Sequence, residues 1–169
     1  SAKLLGNAMR YIVDVPGLQQ LLRDDRDQIA WMLEEVLRLE GSSKATHRVA
    51  IRDTKIGERA IPAGTQVIVA LAAANRDRKY WGEDANEFKL NRPGVRNHIA
   101  FGRGSHTCAG APLARAEVRA ILNAFFDLTD DISISEEKHG KPGARQYKFE
   151  PSFIIRGLQS LHLDLKAKS

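Results

Sequence analysis

The feature that most constrains this chain is a glycine-rich stretch, residues 101–110, with the sequence FGRGSHTCAG. It contains Cys108, the only cysteine of the 169 residues. Glycine adopts positive φ and lets the backbone approach a ligand closely. A helical pattern follows from Pro112, a residue suited to a first helical turn. Cys108 is therefore expected at or just before a helix N-terminus, which favours a thiolate, and a thiolate is a metal ligand or a nucleophile.

Three other interpretations of Cys108 remain open from the residues alone. A lone cysteine is often a small buried hydrophobe, although that role needs no glycine-rich surroundings. A nucleophile paired with His106 is disfavoured because catalytic partners normally come from distant sequence, and His106 is two residues away. A zinc site lacks a second cysteine or a local histidine pair at ligand spacing.

The pattern Phe-Gly-x-Gly-x-His-x-Cys-x-Gly resembles the haem-binding loop of the cytochrome P450 superfamily. The matching residues are Phe101, Gly102, Gly104, His106, Cys108 and Gly110. The resemblance implies that Cys108 is the proximal thiolate ligand of the iron in haem b (iron protoporphyrin IX), a ligation that pushes electron density onto the iron. It also implies that Phe101 packs beside the sulfur, that loop amides donate to it, and that His106 hydrogen-bonds a haem propionate.

Helical spacing over residues 28–40 places Glu35 and Arg38 next to each other on one helix face. Taken alone, such a pair is most often a solvated salt bridge of little energetic value. Cytochrome P450s carry Glu-x-x-Arg on a helix upstream of the haem loop, and residues 35–38 match it. The resemblance adds Arg92, which precedes a proline, and implies that the three side chains form a buried structural network.

Residues 47–71 are predicted to form short strands of a small antiparallel sheet. Alternation places Arg48 and Arg52 on the same side of the first strand, opposite Val49 and Ile51. Without further information, Arg48 is interpreted as an exposed strand arginine. The resemblance implies instead that Arg48 reaches a haem propionate, since a guanidinium can bind a carboxylate through two hydrogen bonds.

Periodicity predicts further helices over about residues 4–13 and 18–25 and another that begins at Pro112. The apolar stripe expected on that last helix is Leu113, Ala116, Ala120, Ile121, Ala124 and Phe125. Residues 136–145 are predicted to form a loop, and residues 153–165 a terminal hairpin that turns near Gly157. The fold class expected is α+β, mainly helical, with small antiparallel sheets: the C-terminal portion of the cytochrome P450 fold.

Composition narrows the choice of location and partner. The net charge is +5, but lysines and arginines are interleaved with acids, so a nucleic-acid partner is not expected. No apolar run approaches the roughly 20 residues of a membrane span. A single cysteine excludes a disulfide framework and suits a reducing cytoplasm. The prediction is a cytoplasmic bacterial protein without membrane or nucleic-acid binding.

The resemblance covers residues 1–169 as a single unit, expected to be the C-terminal haem-binding part of a soluble bacterial cytochrome P450 without its N-terminal half. It implies a monooxygenase that uses O2 and two electrons from a ferredoxin or flavoprotein on a small hydrophobic organic substrate. In this family the residues that deliver protons for dioxygen activation lie upstream of the segment matched here. The alternatives are a truncated haem-binding fragment without catalytic activity and a basic interaction domain with a structural cysteine.

Basic residues flank the cysteine, and we expect them to form a docking surface for an acidic electron donor. They are Arg103 in the loop and Arg115 and Arg119 on the helix that follows. Opposite charges on the two partners would raise the association rate, and salt would screen the attraction.

Overall fold

The computed structural model describes residues 1–169. Its helices are α1 (Ala2–Asp14), α2 (Leu18–Asp24), α3 (Gln28–Glu40), α4 (Leu71–Ala74), α5 (Arg78–Trp81), α6 (Ala111–Leu128) and α7 (Glu136–His139). Its strands are β1 (Thr46–Val49), β2 (Thr54–Ile56), β3 (Arg59–Ile61), β4 (Gln66–Val69), β5 (Thr129–Ile134) and β6 (Leu163–Ala167). The mainly helical α+β prediction is confirmed.

A continuous hydrophobic core lies between α1, α2, α3, α6 and β5. Each helix contributes apolar side chains at three- and four-residue spacing, as an amphipathic helix does when it buries one face. The buried core residues are Ala8, Met9, Ile12, Leu18, Leu22, Ile29, Met32, Leu33, Val36, Val118, Leu122, Phe126 and Ile132. The core holds α3 and α6 together, and these two helices carry or flank the residues singled out by the sequence.

The buried face of α6 differs from the predicted stripe. Val118, Leu122 and Phe126 are fully buried, whereas Leu113 is 70% exposed. Two stripes on this helix have helical spacing, and half of the predicted one is alanine, at Ala116, Ala120 and Ala124. The helix buries the stripe with the larger side chains because that face removes more apolar surface from water.

The strands form three separate two-stranded antiparallel sheets, β1 with β4, β2 with β3, and β5 with β6. In the first sheet Arg48 lies opposite Val67. The predicted terminal hairpin is wrong, because residues 163–167 pair with β5 instead. This pairing satisfies the backbone of β5, whose Ile132 and Ile134 are buried.

Two shorter segments also differ from expectation. The predicted loop 136–145 begins with α7, a single helical turn. The turn near Gly157 is closed by an isolated bridge between Phe149 and Leu158 rather than by long strands. None of the helices combines the length and the apolar composition needed to cross a bilayer.

Candidate functional site

The loop before α6 holds Cys108 in a defined backbone geometry. The amide of Cys108 donates to the carbonyl of Phe101 at 2.9 Å, which closes the loop. Gly102 and Gly104 have φ of +73° and +80°, values that favour glycine over residues with a Cβ. The helix α6 begins three residues after the cysteine, at Ala111, so Cys108 lies just before a helix N-terminus, as predicted.

The thiol of Cys108 is exposed and lines an open cavity of about 320 Å³. The cavity brings together most of the residues predicted for cofactor binding, namely Arg48, Phe101, Gly102, His106 and Cys108. Its apolar lining includes Leu37, Leu71 and Ala100. The predicted Gly110 lies outside this lining, but a Cβ on it would stand 3.8 Å from the Cys108 sulfur, an ordinary contact.

Two groups with affinity for anions face this cavity without an acidic partner. The guanidinium of Arg48 donates from Nη1 to the Thr46 hydroxyl at 2.9 Å and to the His47 carbonyl at 2.8 Å. It makes no ion pair, and the His106 ring makes no hydrogen bond to the protein. Both side chains are therefore available to bind carboxylates.

These residues fit a haem group. A haem is a flat apolar ring with two carboxylates and a metal that takes an axial ligand. The cavity offers one thiol, an apolar wall, and an arginine and a histidine without acidic partners. The carboxylates of the ring need charge pairing when they are partly buried, and Arg48 and His106 are the groups that could supply it.

The predicted structural residues form one buried network below the cavity. Arg38 donates to both oxygens of Glu35 in a fork, with Nε–Oε2 and Nη2–Oε1 distances of 2.7 Å each. Arg92 Nε donates to the same carboxylate at 2.9 Å. Glu35 is 0%, Arg38 1% and Arg92 5% exposed, so these charges are almost wholly removed from water.

The network also fixes the backbone between α3 and the cysteine loop. Arg38 donates to the carbonyls of Asn75, Ala85 and Glu87 at 2.9, 2.6 and 3.1 Å. The side chain of Asn75 in turn accepts from the Ile99 amide at 2.8 Å. Arg38 therefore connects α3 with the segment that leads into residues 101–110.

A fourth member, Asp84, was missed by the sequence analysis. It accepts from Arg92 Nη1 at 2.7 Å, and this hydrogen bond lowers the pKa of Asp84. The network thereby contains two carboxylates and two guanidinium groups, and its formal charge is balanced. The only sequence signal was an acid eight residues before Arg92, which is too weak to identify a partner.

A second buried acid, Glu34, was also missed. Its carboxylate accepts from Arg115 Nε at 2.6 Å and Nη2 at 2.9 Å, and from His98 Nε2 at 2.9 Å. Burial disfavours its charge, but the hydrogen bonds from His98 and Arg115 outweigh this effect and lower the pKa of Glu34 to about 2. Glu34 and Glu35 are adjacent, yet they serve two different networks.

Acid titration of Glu34 should weaken the fold in a defined pH window. Because its pKa falls from an ordinary 4.5 to about 2, the stabilisation is present above pH 4.5 and is lost as the pH falls toward 2. We expect the difference in unfolding free energy between the parent and Glu34→Gln to narrow by about 1.4 kcal/mol between about pH 6 and about pH 3.5. Urea denaturation measures the difference, with the exposed Glu117→Gln as control. A difference in unfolding free energy between the parent and Glu34→Gln that did not change with pH would contradict the prediction.

The end of α3 approaches the cysteine loop at Gly41, another residue that the sequence analysis did not single out. A Cβ placed on Gly41 would stand 2.9 Å from the Ala100 Cβ and 2.9 Å from the Leu37 carbonyl oxygen. Such distances require the backbone to shift. The absence of a side chain at Gly41 therefore lets the end of α3 pack against Ala100, the residue just before Phe101. Gly41 and Ala100 both line the cavity.

Comparison with known proteins agrees with this geometry. The family model for cytochrome P450 matches residues 9–128. Cytochrome P450 109 of Bacillus spizizenii is 38% identical over 99% of this chain and 40% of its own length. The substrate-free structure of CYP150A6 from Mycobacterium marinum is 45% identical, with a TM-score of 0.95 over 99% of this chain and 41% of that chain.

A further solved structure, CYP109E1 of Bacillus megaterium in complex with corticosterone, is 29% identical with a TM-score of 0.83. The match covers 97% of this chain and 41% of the Bacillus megaterium chain. The chain therefore spans well under half the length of these relatives. By fold and by sequence it belongs to the cytochrome P450 family, whose cofactor is haem b.

Proposed function

We propose that this chain is the C-terminal haem-binding part of a haem-thiolate monooxygenase in which the Cys108 sulfur is the axial ligand of the haem iron. The observation that carries the proposal is the exposed Cys108 thiol on a cavity it shares with Arg48 and His106. Cys108 is also the only cysteine of the chain. It lies three residues before the first residue of the 18-residue α6.

The loop can also adjust the electron density on the sulfur. The amides of Ala109 and Gly110 have no backbone acceptor and are free to donate to a thiolate at Cys108. Hydrogen bonds to a ligand sulfur draw charge away from it and raise the reduction potential of the metal. The carbonyl of Phe101 accepts from the Cys108 amide and so holds the backbone beside the sulfur.

Thiolate-ligated haem supplies the chemistry of O–O bond cleavage. The substrate class we propose is a small hydrophobic organic molecule, as membership of the cytochrome P450 family suggests. The steroid bound by the Bacillus megaterium relative belongs to the same class.

The proposal is tested with haem-loaded protein that contains this chain. We expect the carbon monoxide adduct of the reduced protein to show the red-shifted Soret band of thiolate ligation. We also expect oxygen-dependent hydroxylation of hydrophobic compounds when a ferredoxin or flavoprotein supplies electrons. The band without turnover would favour a haem binder that lacks catalysis, and absence of both would favour an interaction domain with a structural cysteine.

Haem retention should depend on the two anion-binding side chains. Charge-assisted hydrogen bonds contribute about 1.5 to 3 kcal/mol, so Arg48→Leu and His106→Leu should each speed haem loss about tenfold or more. Transfer of haem to apomyoglobin measures the rate. Arg52→Leu, which removes an exposed arginine outside the cavity, serves as the control. Parent-like rates in both cavity variants would remove these residues from the site.

The electron donor is proposed to dock near Arg103, the basic loop residue that makes no ion pair. The two arginines that we predicted on α6, Arg115 and Arg119, are not free cations in the structure. Arg115 is paired with the buried Glu34, and Arg119 Nη2 lies 3.2 Å from Asp27 Oδ1. A docking surface with locally balanced charges should give only modest salt dependence, and the reduction rate by an acidic ferredoxin measured against ionic strength tests this.

A further inference from the structure

We infer that Glu34 is a positioning residue for Cys108, because its one buried carboxylate holds both ends of the cysteine loop against α3. The inference rests on the proposed ligation by Cys108, since a ligand sulfur must keep its place. Glu34 lies on the side of α3 that faces the loop, and its side chain is 6% exposed.

Downstream of the loop, Glu34 binds Arg115 on the second turn of α6. The Arg115 guanidinium donates from Nε to one carboxylate oxygen at 2.6 Å and from Nη2 to the other at 2.9 Å. Two parallel bonds fix the relative orientation of the two helices, which a single contact would not. The start of α6, and with it the C-terminal end of the loop, is thereby held to α3.

Upstream of the loop, the same carboxylate binds His98. The His98 Nδ1 accepts from the Ala100 amide at 3.2 Å, so its proton is on Nε2, which donates to Glu34 at 2.9 Å. The ring is buried, with 7% of the residue exposed. The N-terminal end of the loop is thus held to the same side chain as the C-terminal end.

Phe101 carries this restraint to the cysteine. The Arg115 guanidinium lies over the Phe101 ring, 4.8 Å from its centroid, and the His98 ring centroid is 6.5 Å away. The carbonyl of Phe101 accepts from the Cys108 amide at 2.9 Å. A shift of Arg115 or His98 therefore moves Phe101 and, through its carbonyl, the backbone of Cys108.

Loss of the carboxylate should loosen the loop at both ends, because His98 and Arg115 lose their shared partner on α3. The hydrogen bond from the Cys108 amide to the Phe101 carbonyl should then open more often. In haem-free protein, the Cys108 amide should therefore exchange faster with solvent deuterium.

The experiment compares the parent, Glu34→Gln, Glu34→Ala and Arg115→Gln with two controls. Glu117→Gln removes an exposed carboxylate of α6, and Ile132→Val weakens the core away from the loop. In the haem-loaded proteins, the reduced carbon monoxide adduct is followed in mild urea as its thiolate Soret band converts to that of a neutral ligand. In the haem-free proteins, hydrogen–deuterium exchange of the peptide that contains Cys108 is followed by mass spectrometry.

We expect conversion and deuterium exchange to be about tenfold faster or more in Glu34→Gln and Arg115→Gln, in line with the loss of charged hydrogen bonds. A double variant that combines these two changes should differ little from Glu34→Gln alone, since the Glu34 change already removes the contact with Arg115. Both controls should behave like the parent. Parent-like rates in the Glu34 variants would overturn the inference. A parent without a thiolate band would overturn the proposed ligation instead, while the deuterium exchange rates would still decide the role of Glu34.

Discussion

Replacing Cys108 by histidine or alanine is expected to abolish the thiolate-type Soret band of the reduced carbon monoxide adduct. The anionic sulfur donates electron density to the iron, and neither imidazole nor water at that position can replace this donation. Cys108→His should retain some haem with the spectrum of a neutral ligand, whereas Cys108→Ala should lose most of it. Absorption spectra and pyridine haemochrome quantification measure the two effects separately.

The matched control for Cys108 is its neighbour. In Thr107→Ser the hydroxyl can still donate to the Gly104 carbonyl, a bond of 2.8 Å in the parent, so the loop and the band should persist. Because the chain has no other cysteine, a thiolate band that survived in either Cys108 variant would mean that the ligand comes from outside these residues.

Replacing Arg38 by alanine is expected to cost about 3 to 5 kcal/mol of folding free energy, because it removes one of the two guanidinium partners of the buried Glu35 and leaves the Asn75 and Ala85 carbonyls without the donor that Arg38 supplies. This is a large part of the roughly 5 to 15 kcal/mol that stabilises a typical domain. The variant should yield little folded, haem-loaded protein. Arg38→Lys should recover only part of the loss, since an ammonium group cannot form the fork with both oxygens of Glu35.

Chemical denaturation and haem content per chain test the Arg38 prediction. The control is Arg78→Ala, which breaks an ion pair with Glu83 at 3.5 Å whose side chains are 64% and 90% exposed. Exposed pairs contribute about 0 to 1 kcal/mol, so this variant should stay near the parent. Equal stability of Arg38→Ala and Arg78→Ala would show that the buried network is not a stabilising element.

The family resemblance predicted the parts of the site whose motifs are short in sequence. The loop motif spans ten residues and the Glu-x-x-Arg motif four, whereas the spacing of Glu35 and Arg38 alone indicated a solvated salt bridge. Glu34 could not be assigned in this way, because His98 and Arg115 lie 64 and 81 residues away. From sequence alone, two adjacent glutamates on a helix indicate a solvated face. Only the folded chain places His98 and Arg115 next to Glu34.

The dependence on contacts between distant residues also explains the errors in the predicted fold. On α6 two stripes have the same spacing, so spacing alone does not show that Phe126 is buried and Leu113 exposed. At the C-terminus, the predicted hairpin over residues 153–165 included the start of β6 but paired it with the wrong strand. The partner, β5, lies about 30 residues earlier, and strand pairing over that distance depends on the assembled core.

The balanced network of Glu35, Arg38, Arg92 and Asp84 also has a consequence for how the chain folds. Glu35 and Arg92 are 57 residues apart, so α3 cannot bury its two charges at full benefit until residues 84–92 have docked. A half-assembled state would hold a desolvated charge without all its partners and is disfavoured. We expect α3 and this segment to become native together, and the loop, tied to Asn75 through Ile99, to become ordered in the same step. A haem molecule would then meet either a complete cavity or none, so that partly folded chains do not capture it in the wrong orientation.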